Sequence, residues 1–249
     1  MASETRVRRR RPLLKILAVV VVLLVAAGVG VWYFLIREDA PERANIEAAA
    51  ETLDESGAGD TEVDPADLVG DWTVDTSVGS FDDFSGTWAG YRFDEELASI
   101  GATTAVGRTP DVSGTMTVTE TEVTAVDIEV DMTTLQSDQD RRDNAIRSRG
   151  LETDTFPNGT FTLTEPLAIP EDIDSGAEVQ SVATGELTLH GVTNEVTVDL
   201  DARLVGDQAV VVGSSPVALT DYGIEPPTGA AVLSVDNEGE FEFQVFFSR

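Results

Sequence analysis

Few residues in this chain carry side chains suited to catalysis or metal binding. His190 is the only histidine, and there is no cysteine. A serine–histidine–aspartate arrangement would need His190 as its base. It stands in Leu189-His190-Gly191, where an alternating run gives way to a turn, with no nucleophile-elbow pattern beside it. That setting predicts a packing or hydrogen-bonding role. One histidine without cysteine builds no ordinary zinc site. Asp138, Asp140 and Asp143 resemble the start of a calcium loop, but the glycine required at its sixth position is absent. Arg141 and Arg142 would also oppose a cation, so these carboxylates read as a solvated helix start. No enzyme activity, metal or cofactor is expected.

Two short motifs invite other readings. Asn158-Gly159-Thr160 matches a glycosylation sequon, yet it follows Pro157 and precedes a strand pattern, and a tight turn accounts for it. Asp221-Tyr222-Gly223 reads as a second turn, its aromatic ring free to plug one end of a barrel or touch a ligand.

The elements around these residues alternate at period two. Tyr91 and Phe93 share one face while Arg92 and Asp94 share the other; Met116 and Val118 alternate with threonines. Val126, Ile128, Val130 and Met132 alternate with acids, and the pattern returns at Phe161 and Leu163, at Leu187 and Leu189, from Val196 to Leu204, and from Phe241 to Phe247. Each run presents one apolar and one wet wall, as in antiparallel sheets solvated on one side. About eight to ten such strands predict an all-β closed barrel or sandwich; the expectation is an antiparallel barrel of about eight strands. One crossover helix is expected over 137–150, capped by Ser137 or Asp138, with Gly150 left-handed at its end.

The N-terminus sets a location. Arg6, Arg8 to Arg11 and Lys15 precede an uncharged run from Ile16 to Ile36, closed by Arg37. As a helix it spans about 31 Å at 1.5 Å per residue, one hydrocarbon core. Trp32 and Tyr33 fall where the headgroup layer lies. A cleaved signal peptide would have a shorter apolar region and a small-residue site after it; here Ala26-Ala27-Gly28 lies inside the run. The expected order is a basic cytoplasmic tail (1–15), a single-pass signal anchor (16–36), an acidic extracytoplasmic linker (37–70) and a barrel domain (71–249). Within the linker, Pro41 and the ERANIEAAAETL that follows suggest a short helix starting near Pro41. Ala26 and Gly30 form a small-xxx-small pair compatible with a homodimer through the span.

Charge narrows the partners. The 249 residues carry a net −30, divided as +5 over residues 1–15 and −35 over the rest. An exported domain this acidic repels phosphate backbones and anionic headgroups, so nucleic acid is excluded as a partner. Without cysteine, a hydrophobic core rather than disulfides must hold the domain.

Several segments resemble the YceI-like family. Trp72-Thr73-Val74-Asp75 is similar to its W-x-[IV]-D opening, and Leu135 through Arg149, with Arg142-Asp143 central, to its R-D-x-H-L segment. Phe156 to Phe161 resembles F/Y-P-x-x-x-F, Gly185 to Thr193 resembles G-x-L-T-[IL]-x-G-V-T, and Asp221-Tyr222-Gly223 the late D-[FY]-G. The matches run in order across about 150 residues. The resemblance implies a lipocalin-like barrel holding a polyisoprenoid, such as a quinone tail or prenyl lipid, and no catalysis. Two departures stand out: the family's histidine–serine pair after the opening is here Thr76-Ser77, and its later histidine falls on Ala145.

The reading that results is a membrane-tethered extracytoplasmic protein binding an isoprenoid lipid or quinone. Its ligand wall is expected among Tyr91, Phe93, Met116, Ile128, Phe161, Leu163, Leu187 and Leu189. Alternation places these residues on one wall but leaves open whether that wall lines a cavity or packs a dry core. A dry barrel would be an envelope structural or interaction ectodomain.

Overall fold

The alternating runs become strands because each puts branched and aromatic residues on one face and Thr, Asp and Glu on the other. The computed structural model describes residues 22–25, 40–60, 68–170 and 173–249. Its strands are β1 (Gly70–Asp75), β2 (Trp88–Leu97), β3 (Gly101–Thr109), β4 (Val112–Val118), β5 (Glu122–Asp131), β6 (Asn158–Leu163), β7 (Leu167–Ala168), β8 (Val179–Leu189), β9 (Val192–Val205), β10 (Gln208–Ala218) and β11 (Val232–Ser248). Every pairing between them is antiparallel.

Eight of these strands close a ring in the order β1, β4, β5, β6, β8, β9, β10, β11 and back to β1. Closure removes the free edges an open sheet would expose. One edge of β11 serves two neighbours: residues 246–248 pair β1, and residues 232–244 pair β2. The β2–β3 hairpin thus prolongs the wall past the ring. The antiparallel all-β barrel expected from the alternation is the one observed.

The expected crossover helix lies between β5 and β6 but is shorter. Helix α2 spans Asp140–Ala145 and widens into a π-turn over Ile146–Gly150. Neither Ser137 nor Asp138 caps it: Gln139 holds the N-cap position without a side-chain cap bond. Ser137 instead donates its N–H and Oγ–H to the Asp143 carboxylate at 2.9 and 2.6 Å, while Asp138 pairs with Arg142. Gly150 is not left-handed either. The widened turn carries on until Leu151 and Thr153 donate back to the Ile146 and Arg147 carbonyls, and the positive φ falls on Glu152, at 48°.

Asn158-Gly159-Thr160 is no tight turn. It opens β6, with Asn158 opposite Asp131 and Thr160 opposite both Glu129 and Thr188. Gly159 suits crowding inside the barrel, because a Cβ there would stand 3.0 Å from Leu189 Cδ2.

The segment read as a linker contains helix α1 (Ile46–Ser56), which starts later than Pro41 suggested. The Asn45 side chain accepts from Ala48 N at its start, and left-handed Gly57 ends it. Ile46, Ala49, Ala50 and Leu53 fall at i, i+3, i+4 and i+7, one stripe of the helix. They pack on Val205, Val210, Val212 and Phe246, on the outer face of β9 to β11. Two alanines let the helix lie close, so four modest apolar residues bury a segment whose composition looked solvated. Residues 41–249 accordingly form one compact unit.

Just before α1, two arginines hold the chain. Glu242, 2% exposed, sits between Arg108 (2.8 Å) and Arg92 (3.2 Å). Those guanidiniums also donate to the carbonyls of Glu42 and Pro41, at 2.5 and 2.7 Å. Arg108 is further packed on the Trp88 ring, 3.7 Å from its centroid, and on Phe84 at 4.6 Å. A buried carboxylate is tolerable here because both of its oxygens are paired.

The expected span 16–36, apart from helical residues 22–25, lies outside the described residues, as do the basic tail 1–15 and linker residues 61–67. Among the described residues no helix is long and apolar enough to cross a membrane.

Candidate functional site

The inward faces of the ring do not fill it. A cavity of about 390 Å³ remains along the barrel axis, within the size range of small-molecule pockets. Its wall is aliphatic and aromatic nearly throughout. Two of the polar groups along it are held within the protein: Ser215 Oγ donates to the Thr197 carbonyl, and Glu242 is held by its two arginines.

Seven of the eight residues expected on the ligand wall line this cavity: Tyr91, Met116, Ile128, Phe161, Leu163, Leu187 and Leu189. Met116, Ile128, Phe161 and Leu187 point inward yet are only half-buried, since their inner surfaces face open volume. Phe93 is the exception. It lies 6.2 Å from the Tyr91 ring, and the β11 bulge brings Gly239 onto it so closely that a Cβ would stand 2.3 Å from Cδ1. With Val217 and Tyr222 it packs solidly beyond the cavity.

Other lining residues were not singled out from the sequence. Phe243 and Phe247 sit in the alternating run from Phe241 to Phe247, which carried the same signal as the chosen positions, whereas Ala183 lies between Ser181 and Gly185 and had none. Leu68 and Ile169 come from connections without periodicity and had no signal. Trp72, in the opening motif, is buried with its indole N–H donating to the Leu68 carbonyl at 3.0 Å.

The two ends of the cavity differ. At one, Thr119, Glu120 and Ala168 line it and are exposed, making a mouth between the β4–β5 turn and the β6–β8 connection. At the other, Met132, Leu135, Leu189 and Tyr91 form a floor, backed by Tyr222, Ile224, Ile146 and Leu151. Tyr222 thus plugs the barrel end, as its turn suggested. Arg142 locks this floor to β2: it donates to Glu95 at 2.5 Å and pairs with Asp138 on its other side. Burial alone would lower the Arg142 pKa, but the facing carboxylates more than offset it and hold it above the usual value. Burial also pushes the Tyr91 phenol well above its usual range, with the nearby Arg142 only partly countering that. The Tyr91 hydroxyl is buried and has no hydrogen-bond partner.

His190 plays the turn role its setting predicted. With φ of 49° and 74°, His190 and Gly191 form the two-residue β8–β9 turn that such hairpins favour. His190 Nδ1 donates to the Tyr222 carbonyl at 3.1 Å, and the ring meets Phe156 edge-on at 4.6 Å. Of the departures from the family pattern, Ser77 turns back on the Asp75 carboxylate, and Ile146 beside Ala145 packs apolar behind the floor. Among the described residues no three His, Cys, Asp or Glu side chains gather where they could hold a metal.

A closed antiparallel barrel with an apolar, ligand-sized lumen defines the class of protein. The YceI-like domain model matches residues 62–247, and the chain belongs to that family. The protein YceI of Escherichia coli strain UMN026 is 29% identical over 168 residues, covering 59% of this chain and 83% of that one. A UPF0312 protein of Shewanella sp. strain MR-4 is 32% identical over 152 residues, covering 57% and 75%. Among solved structures, a polyisoprenoid binding domain from Saccharophagus degradans superposes with a TM-score of 0.52 at 16% identity, over 71% of this chain and 97% of that one.

Proposed function

We propose that this protein holds a polyisoprenoid or similar amphiphilic lipid, a prenyl quinone among them, inside its barrel. We propose further that the span at 16–36 tethers it to the cell membrane, with residues 1–15 cytoplasmic and the barrel outside, and that it performs no catalysis. The observation that carries the reading is the apolar cavity of about 390 Å³ with one exposed mouth. A dry structural barrel would have spent that volume on side chains, since protein interiors are close-packed. Burying a hydrocarbon there gains about 0.8 kcal/mol per methylene before the costs of association. A tether would keep the mouth near the bilayer that supplies such lipids and so raise their effective concentration.

The test is to fill the lumen. Ala183 lies inside it, 3% exposed, facing Leu163 and Val198. In the full chain, Ala183→Leu should reduce displacement of an uncharged fluorescent hydrocarbon probe by prenyl lipids at least severalfold while the far-ultraviolet spectrum stays that of the wild type. Unchanged displacement in a folded variant would place binding elsewhere.

A further inference from the structure

The lumen is closed at one end and has a definite volume and depth. Met132, Leu135 and Leu189 at its floor are buried, and so are Tyr222 and Ile224 behind them. Side chains packed in this way leave no passage for a hydrocarbon. A chain that enters at the mouth therefore stops at this floor, whichever of its ends goes in first.

Volume sets how much of a chain fits. An apolar cavity of about 150 Å³ holds one benzene, or roughly 25 Å³ per carbon. At that ratio a cavity of about 390 Å³ takes about sixteen carbons. Depth sets the shape of what fits. On β9, Val196, Val198, Leu200, Ala202 and Leu204 all line the cavity. At ~3.3 Å per residue and a strand tilt of ~35–45°, that run covers about 20 Å of the barrel axis. The volume spread over this depth leaves a cross-section of about 20 Å², the girth of one hydrocarbon chain. An extended chain of that many carbons is also about as long as the lumen is deep. Two chains side by side do not fit.

Resting on the lipid-binding reading above, we infer that the barrel is a single-chain, length-limited site: it encloses about three isoprene units of one prenyl chain, with Leu189 and its floor neighbours as the stop, and it excludes lipids with two chains. Each unit inside the lumen takes five carbons out of water and raises affinity. The further units of a longer chain lie outside the mouth, past Thr119 and Ala168, and add little.

The experiment titrates four ligands against the full chain held in amphipol. Three are prenyl alcohols of two, three and four isoprene units: geraniol, farnesol and geranylgeraniol. The fourth is dioctanoylglycerol, whose two tails together hold about as many carbons as farnesol. Displacement of an uncharged fluorescent hydrocarbon reads each affinity, corrected for uptake of the ligand by amphipol alone. Farnesol should bind at least roughly tenfold tighter than geraniol, because one more unit is buried and the costs of association are nearly the same. Geranylgeraniol should gain less than about threefold over farnesol, and dioctanoylglycerol should bind at least about tenfold more weakly than farnesol, since its second tail stays in water. Leu189→Ala removes three carbons from the floor and should let geranylgeraniol move severalfold ahead of farnesol. Such a truncation costs stability, and the wild-type series decides alone if the variant does not fold. A geranylgeraniol step as large as the farnesol step, farnesol bound no tighter than geraniol, dioctanoylglycerol bound like farnesol, or a folded Leu189→Ala that keeps geranylgeraniol level with farnesol would each overturn the inference and leave lipid binding standing. If none of the four ligands binds wild type, the lipid-binding reading itself falls, and the inference falls with it.

Discussion

Phe161 and Gly185 occupy one spot in the lumen: a Cβ on Gly185 would stand 2.4 Å from Phe161 Cζ and 2.6 Å from the Thr162 carbonyl oxygen. The missing side chain on β8 is what lets the Phe161 ring of β6 lie flat against the wall and leave the axis open. Gly185 thus fixes both a strand contact and the shape of the cavity.

Gly185→Ala is therefore expected to destabilise the barrel. The backbone oxygen of Thr162 cannot yield, and overpacking of this kind costs about 1–3 kcal/mol. Urea unfolding followed by tryptophan fluorescence reads the loss directly, and a midpoint equal to that of wild type would show that the wall gives way.

Phe161→Ala tests the opposite change. A phenylalanine in a packed core costs about 3–5 kcal/mol when cut to alanine. Phe161 is half-buried against open volume, so the expected cost lies below that range, about 1–2 kcal/mol on the same scale. A loss of the full packed-core size would mark the lumen as tightly filled in solution.

Leu53→Ala asks whether α1 belongs to the domain. Leu53 is fully buried against the outer wall, and removing such a side chain costs about 2–5 kcal/mol. A change near zero in thermal or urea unfolding would mean that the helix does not stay docked.

Glu242→Gln should be among the most damaging single substitutions. It leaves Arg92 and Arg108 facing a neutral amide in a buried site, and breaking such a network costs about 3–5 kcal/mol. Calorimetry should show the melting temperature fall by roughly 6–20 °C or the protein fail to accumulate; a near-native melting temperature would contradict the buried pairing.

Alkaline pH supplies a further check. The Tyr91 phenol is held above its ordinary value of 10.0, chiefly by burial. Above that value the unfolded chain releases this proton while the folded one keeps it, so the unfolded state binds fewer protons and stability falls as pH rises. The contribution is complete below pH 10 and is lost above it. Tyr91→Phe should flatten this part of the stability–pH curve relative to wild type; parallel curves would show Tyr91 ionising freely in the fold.

The strands were legible because alternation is a local signal, carried by neighbours such as Tyr91 and Phe93 or Ile128 and Val130. The closure of the ring through β11 and β1 was not, since it depends on pairings such as Thr73 with Ser248, far apart in sequence. Seven of the eight wall residues reached the cavity for the same local reason. Phe93 did not, because a bulge in β11, a non-local feature, brings Gly239 onto its ring. The docking of α1 was hidden by its alanines, which look neutral in composition but pack closely on a flat wall. The Asn158-Gly159-Thr160 strand start was misread because the tripeptide has turn chemistry, while pairing with β5 and β8 decides its conformation.

The central claim, that the lumen holds a lipid, is tested most directly by native mass spectrometry of the full chain, followed by organic extraction. The account predicts a bound mass at about one per protein, identified on extraction as an isoprenoid or similar amphiphilic lipid. An apo mass that stays unchanged after incubation with prenyl quinones and prenyl alcohols would contradict it.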